Sequence, residues 1–127
     1  MQDQAKKHFN KGVDFAKLGN YAKAVTSFDK ALAIEPQNDM LWVLRGHMLD
    51  DLGKYADALA SFDKALEIKP DYPVAWYTRG VALRRLGRYP EAVASFDKAL
   101  AINPEYADAK KNRETALREQ EENRKKK

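Results

Sequence analysis

The six-residue stretch Ser-Phe-Asp-Lys-Ala-Leu occurs three times in the chain, and its spacing limits the folds that the chain can adopt. The copies begin at Ser27, Ser61 and Ser95, so each starts 34 residues after the one before. Other residues keep this period: Gly12, Gly46 and Gly80; Gly19, Gly53 and Gly87; Tyr21, Tyr55 and Tyr89; Ala24, Ala58 and Ala92; and Pro36, Pro70 and Pro104. A period of this length without insertions indicates one supersecondary unit copied along an axis, with each copy packed on its neighbours.

Within each copy, the pattern of residues predicts two α-helices joined by a tight turn. In the second copy, Phe62 and Leu66 lie four residues apart, which places them on one face of a helix. Gly53 supplies the turn before this helix, and Pro70 ends it. Gly46 falls in the middle of the first helix, where glycine costs about 1 kcal/mol relative to alanine. We therefore expect its missing side chain to let the second helix approach closely.

These signals divide the chain into six segments. They are a lead at 1–4, units at 5–38, 39–72 and 73–106, a capping helix at 107–123 and a basic tail at 124–127 that is expected to fray. The capping helix has few apolar residues, namely Ala109, Ala116 and Leu117. This composition fits a helix that covers the last repeat with one face and meets water with the other.

The motif Trp-x2-Arg-Gly-x2-Leu, followed by Ala-x3-Phe and then Pro on a 34-residue period, resembles the tetratricopeptide repeat. The resemblance extends over residues 5–106. It implies an all-α fold, a right-handed α-solenoid of three helix–turn–helix repeats with a C-terminal solvating helix. It also implies a concave inner surface that is lined by the first helix of each repeat.

The chain departs from the family pattern at several positions. Where the family usually has leucine before the first glycine, this chain has Lys11, Arg45 and Arg79. We expect the stems of these side chains to pack while their charged groups reach water. His8 replaces the first tryptophan, and Asp14 stands where later units have methionine or alanine. The outer edge of the first unit is therefore expected to pack less tightly than the later ones.

Repeat register carries a partner-binding set of residues over from the family to this chain. The set is Phe9, Val13, Lys17, Met40, Val43, His47, Asp50, Asp51, Val74, Tyr77, Val81, Arg84 and Arg85. We hypothesise that its apolar members form an exposed strip in the groove, because exposed contiguous apolar surface usually marks an interaction site. The alternative is that Tyr77 and the valines only close gaps between neighbouring helices.

The charged members of the set are sorted by unit. Asp50 and Asp51 occupy the positions that Arg84 and Arg85 occupy one repeat later, so the two pairs are expected to lie near each other. Neighbouring salt bridges, worth about 0–1 kcal/mol when exposed, are the favoured interpretation. A polar latch for one end of a bound peptide is the other interpretation.

Composition and motifs argue against several classes of function. The chain has no cysteine, no glycine-rich phosphate loop and no metal-ligand spacing, and His8 and His47 lie in different units, so we expect no enzyme, no cofactor and no metal site. Residues 1–106 carry 15 basic and 14 acidic side chains, and the basic excess lies in the tail, so specific nucleic-acid binding is not expected. No membrane segment or signal peptide is recognisable, and a cytoplasmic location is predicted.

The sequence thus predicts a protein–protein interaction module that binds a peptide or helix of a partner protein in the groove. The alternative is a self-assembling scaffold whose repeats bind a second copy of the chain. One subtype is disfavoured, because relatives that grip acidic chaperone tails do so with Lys, Asn and Arg. The matching positions here are Phe9, Val13, Leu44, Val74 and Thr78, so no useful affinity for such tails is expected.

Overall fold

A computed structural model describes residues 1–126, and seven α-helices follow one another in this part of the chain. They are α1 Asp3–Lys17, α2 Tyr21–Ile34, α3 Asp39–Asp51, α4 Tyr55–Ile68, α5 Pro73–Arg85, α6 Tyr89–Ile102 and α7 Ala107–Lys125. The all-α prediction is confirmed. The last helix continues two residues beyond the end expected at residue 123, into the segment expected to fray. Lys127, the last residue of the predicted basic tail, lies outside the described residues.

The helices form two compact units, Met1–Pro70 and the part of the chain that begins at Asp71. In the N-terminal unit, α1 packs on α2, α2 on α3 and α3 on α4. In the C-terminal unit, α5 packs on α6, and α6 packs on α7. The N-terminal unit therefore holds two helical pairs, and the C-terminal unit holds one pair and a single further helix.

Glycine makes the turn within each helical pair. Gly19, Gly53 and Gly87 have φ values of 75° to 76°, a left-handed conformation that residues with a Cβ rarely adopt. The connection between pairs in the N-terminal unit uses a side-chain cap, in which Asn38 Oδ1 accepts a hydrogen bond from the backbone N–H of Leu41 at 3.2 Å. The chain-reversing turns expected from the sequence are present at these positions.

A second set of glycines allows the two helices of each pair to approach closely. A Cβ added at any of them would lie less than 3.0 Å from a phenylalanine ring on the facing helix. The pairs are Gly12 with Phe28, Gly46 with Phe62, and Gly80 with Phe96. The three rings are at most 1% exposed and lie at the centre of each pair. The contact offsets the low helix propensity of glycine, as the sequence indicated.

The arginine that precedes Gly46 joins three helices instead of projecting into water. Arg45 Nε donates to Asp29 Oδ1 on α2 at 2.6 Å, and its Nη1 donates to Ser61 Oγ on α4 at 2.7 Å. The guanidinium also lies 5.9 Å from the centre of the Trp42 ring. The expectation that this charged group reaches water is therefore corrected: it is held by the neighbouring helices, and only about a quarter of the side chain is exposed.

Candidate partner-binding surface

The predicted binding positions of the N-terminal unit differ widely in exposure. Lys17 and Asp51 are exposed, and Met40 is 36% exposed at the start of α3. Phe9 and Val13 are half-buried on α1, where they pack against the cluster that contains Phe28. The rings of Phe9 and Phe28 are tilted with their centroids 6.3 Å apart. These two residues therefore contribute to the core with one side and leave the other side accessible.

The structure corrects the prediction for Val43. This side chain is only 4% exposed and belongs to the core, so it cannot offer apolar surface to a partner. The reason lies in the place of its helix, because α3 packs on both α2 and α4. A helix covered on two sides carries apolar residues around most of its circumference, and sequence periodicity alone does not separate a buried stripe from an exposed one.

His47 lies between the core and the surface of α3. Its ring meets the Phe62 ring edge-on, with centroids 5.8 Å apart. Burial lowers the pKa of His47 below its ordinary value, and the carboxylates of Asp50 and Asp51 oppose this effect without reversing it. At neutral pH the residue is therefore an uncharged polar group, suited to a hydrogen bond and not to pairing with an anion.

In the C-terminal unit, Tyr77 is a packing residue. Its ring centroid lies 5.1 Å from that of Tyr106 and 6.0 Å from that of Phe96. Asn112 Nδ2 on α7 donates a hydrogen bond to the Tyr77 hydroxyl at 3.2 Å. Burial raises the pKa of Tyr77, which therefore stays protonated. The interpretation of Tyr77 as a gap-closing residue is thus the better one, because its ring and its hydroxyl both contact neighbouring residues.

The two arginines at the end of α5 have different surroundings. Arg84 Nη1 forms an ion pair with Glu119 Oε1 on α7 at 3.1 Å, whereas Arg85 is exposed. Arg84 therefore helps to hold α7 in place. The expected proximity of these arginines to Asp50 and Asp51 stays a prediction.

The most exposed apolar residues of the predicted set occupy the same repeat position. Val74 is 40% exposed at the start of α5, and Met40 is its equivalent 34 residues earlier on α3. Val81, which follows Val74 by seven residues on α5, is half-buried. The hydroxyl of the neighbouring Thr78 donates to the backbone carbonyl of Val74 at 2.9 Å and is thus engaged within the helix. Met40 and Val74 are consequently the apolar centres of the candidate surface, each within its own unit.

Sequence reasoning did not single out a cavity of about 550 Å³ that is lined by α1 and α2. Its lining includes Phe15, Leu18, Lys23 and Ser27. The signal that could have found it is the replacement of tryptophan by His8 and of an apolar residue by Asp14, which suggested loose packing but not a cavity.

Residues 1–126 contain neither a metal-binding cluster nor a membrane-spanning helix. No group of three His, Asp or Glu side chains there is arranged to hold a metal ion. No helix in this part of the chain combines the length and the apolar character that crossing a membrane requires.

Comparisons with known proteins give consistent results. A family model described as tetratricopeptide repeat matches residues 9–73 and 51–107, while no curated protein sequence matches. Among solved structures, the TPR domain of Sgt2 from Aspergillus fumigatus has a TM-score of 0.90 at 23% identity, over 98% of this chain and 83% of that one. The Arabidopsis OM64 TPR domain has a TM-score of 0.86 at 26% identity, over 90% and 94%. The second TPR domain of human RPAP3, solved with the HSP70 peptide SGPTIEEVD, has a TM-score of 0.86 at 25% identity, over 90% and 95%. The α-solenoid fold class expected from the sequence is thereby confirmed.

Proposed function

Because the chain belongs to the tetratricopeptide repeat family, we propose that it is an interaction module that binds a peptide or helix of another protein through the first helices of its repeats. The observation that carries this proposal is the exposure of Met40 and Val74 at equivalent positions on α3 and α5. Their helices are otherwise committed to packing, so partly exposed apolar side chains at these positions are available for a ligand. The human RPAP3 domain, which shares the fold, was solved with a bound peptide.

The chemistry of the surface favours an apolar ligand segment. In the N-terminal unit, the half-buried Phe9 and Val13 would add apolar contact to that of Met40, and in the C-terminal unit the half-buried Val81 would add to that of Val74. Lys17, Asp51 and Arg85 are exposed charges on the same helices and would orient the ligand through its polar groups. Affinity then comes mainly from buried apolar area, at about 25 cal/mol per Å² before the costs of association.

The test starts from peptides selected against the intact chain in a displayed random library, followed by affinity measurement with fluorescence polarisation. Substitution of Met40 or Val74 by Asp should weaken the selected peptides by about tenfold or more, because a carboxylate would replace an apolar contact. Both side chains are more than a third exposed, so the folded state should tolerate the change. Tyr77→Ala is a poor test because Tyr77 also packs against α6 and α7.

The control is Leu117→Asp, which places the same charge on an exposed leucine of α7. Its peptide affinity should equal that of the unchanged chain. Peptides that bind equally well to the Met40 and Val74 variants would place the binding surface elsewhere and contradict the proposal. The proposal includes no catalytic step, and the cytoplasmic location stays a prediction.

A further inference from the structure

The cavity of the N-terminal unit opens on a surface built from α1 and α2 alone. We call this surface the N-terminal face and define it by Lys11 and Phe15 of α1, Leu18 at the C-cap of α1, and Lys23, Ser27 and Lys30 of α2. Leu18 is 81% exposed, whereas its repeat equivalent Leu52 is 38% exposed. Phe15 is half-buried, with the Lys23 ammonium 5.7 Å from its ring centre. The face therefore combines an apolar centre with basic side chains around it.

The chain itself contains a covered version of this face. By repeat register, Lys11 and Ser27 correspond to Arg45 and Ser61. In the second repeat these positions are covered by α2, which supplies Asp29 to the guanidinium of Arg45 at 2.6 Å. The same guanidinium bonds to Ser61 Oγ at 2.7 Å. In this fold, such a face is thus covered by the second helix of a repeat, whose aspartate pairs with the basic residue.

The C-terminal unit shows the same arrangement independently. Arg113 on α7 is the next residue in this register after Arg79, and its Nε lies 2.6 Å from Oδ1 of Asp97 on α6. Arg79 Nη1 donates to Ser95 Oγ on α6 at 2.6 Å, as Arg45 does to Ser61. The contact between an aspartate of a second helix and an arginine of the following helix thus occurs in both units.

In the first repeat, the face keeps its polar positions, and within the N-terminal unit only α2 packs on α1. Its charges are unbalanced, because Lys11, Lys23 and Lys30 line the cavity with Asp14 as the single acidic residue. We propose that the N-terminal face binds an acidic, amphipathic α-helix of a partner protein, which lies on α1 as α2 lies on α3. Its carboxylate meets Lys11, and its apolar side covers Phe15 and Leu18.

The α2 and α6 helices of a second copy are poorer occupants than a partner helix. The helix type that fits the face is the second helix of a repeat, and in this structure α2 is covered by α3 and α6 by α7. A copy would have to displace α7 before it could offer α6. The site is separate from the surface around Met40 and Val74, so it does not depend on the proposed function.

The probe is a synthetic peptide with the sequence of residues 55–68, the α4 segment. It carries Asp57, Asp63 and Glu67 against the single Lys64, and Asp63 stands at the repeat position of Asp29. A hydrocarbon link that replaces Ala56 and Ala60, which are both exposed in α4, holds the peptide helical. Binding to the intact chain is measured by fluorescence anisotropy, and the contacted residues are mapped by amide chemical shifts.

We expect saturable binding with shifts centred on Lys11, Phe15 and Leu18. Leu18→Asp and Lys11→Glu should each weaken binding by about tenfold or more. A peptide with Asp63→Lys should lose affinity for the unchanged chain and regain it for the Lys11→Glu variant. This exchange of charge distinguishes a specific contact from general attraction between an acidic peptide and a basic protein.

The controls separate this site from the proposed function. Lys110→Glu on α7 makes the same charge change at another exposed position, and Met40→Asp and Val74→Asp alter the other surface, so all three should bind the probe normally. Absence of binding, or binding that is insensitive to Leu18→Asp, would overturn the proposal. Leu18-dependent self-association of the chain without peptide would also overturn it, because it would assign the face to a second copy.

Discussion

The close contact between Gly80 and Phe96 leads to a test of how the helical pairs are packed. In Gly80→Ala, the new methyl group would lie 2.5 Å from Cε1 of Phe96, 2.7 Å from Cδ1 and 2.9 Å from Cζ. Ordinary contacts to a Cβ begin at 3.4 Å, so three ring atoms have to move by several tenths of an ångström or more. Phe96 is 0% exposed, so its ring is enclosed by other parts of the protein and cannot turn out into solvent.

Two effects of opposite sign set the magnitude. Alanine gains about 1 kcal/mol over glycine in the middle of a helix. Overpacking of a well-packed core costs about 1–3 kcal/mol, and the upper part of this range applies because three atoms of a buried ring are affected. We expect Gly80→Ala to lower the free energy of unfolding by about 1–2 kcal/mol and Tm by about 4–8 °C.

Urea and thermal unfolding followed by circular dichroism measure this change, and a double-mutant cycle identifies its cause. Phe96→Leu alone should destabilise the chain by leaving a cavity, but it removes the atoms that the new methyl group meets. The double variant Gly80→Ala/Phe96→Leu should therefore be more stable than the sum of the two single changes predicts.

Gly87→Ala is the matched control for the Gly80 cycle. Nothing lies within 4 Å of its added Cβ, and its φ is +76°, so its cost comes from backbone strain. It should destabilise the chain without any rescue by Phe96→Leu. A Gly80→Ala variant as stable as the unchanged chain, or additivity in the cycle, would refute the argument that close helix approach requires this glycine.

The remaining predictions concern titration, packing, ligand choice and assembly. Burial lowers the folded-state pKa of His47, so the unfolded state binds the proton more readily and stability should fall as the pH drops below about 6.5. The urea midpoints of the unchanged chain and of His47→Gln should therefore diverge between about pH 7.5 and about pH 5.5. Midpoints that change in parallel would contradict this. Tyr77→Ala should lower the free energy of unfolding by about 2–3 kcal/mol, since it removes contacts with two rings and with Asn112; an unchanged melting curve would restore Tyr77 as a groove residue. Calorimetric titration with the HSP70 peptide SGPTIEEVD should detect no useful affinity. Micromolar binding would show that acidic tails can bind without the Lys, Asn and Arg side chains that relatives use to grip them. A chain shortened to residues 1–106 should self-associate in sedimentation experiments, because α6 loses its cover, and Leu18→Asp should return it to a monomer if the N-terminal face is the site of contact.

The sequence predicted the fold class because its signals are local and repeated. The period of 34 residues placed the six helices of the repeats, and the positive φ of Gly53 and the close contact of Gly46 with Phe62 agree with the roles inferred from position alone. Each of these roles is set within one helical pair, so it follows from spacing and from the chemistry of glycine and phenylalanine.

The candidate surface was less predictable because exposure depends on what lies next to a helix. Val43 and Val74 are both valines of the predicted apolar strip, at different repeat positions, yet one is 4% and the other 40% exposed. From the sequence, Tyr77 was predicted to contact a ligand. Its hydroxyl instead accepts a hydrogen bond from Asn112, which lies 35 residues later. Contacts between helices of different repeats, and not periodicity within one helix, decide these cases.

The last helix, α7, differs from α1 in how it could receive a further helix. Ala109 and Ala116 are fully buried, and Arg113 contacts Asp97, so α7 covers α6 as a first helix of a further repeat would. At the position of Gly80, however, α7 has Glu114. Because a single Cβ there already collides with the phenylalanine of a second helix, a glutamate prevents such a helix from packing on α7 in the manner of α6 on α5. The first repeat has Gly12 at this position, in close contact with Phe28. Its N-terminal face carries Lys11 and Ser27, where the second repeat uses Arg45 and Ser61 beneath α2. The proposed partner helix is therefore expected on α1 and α2 and not on α7.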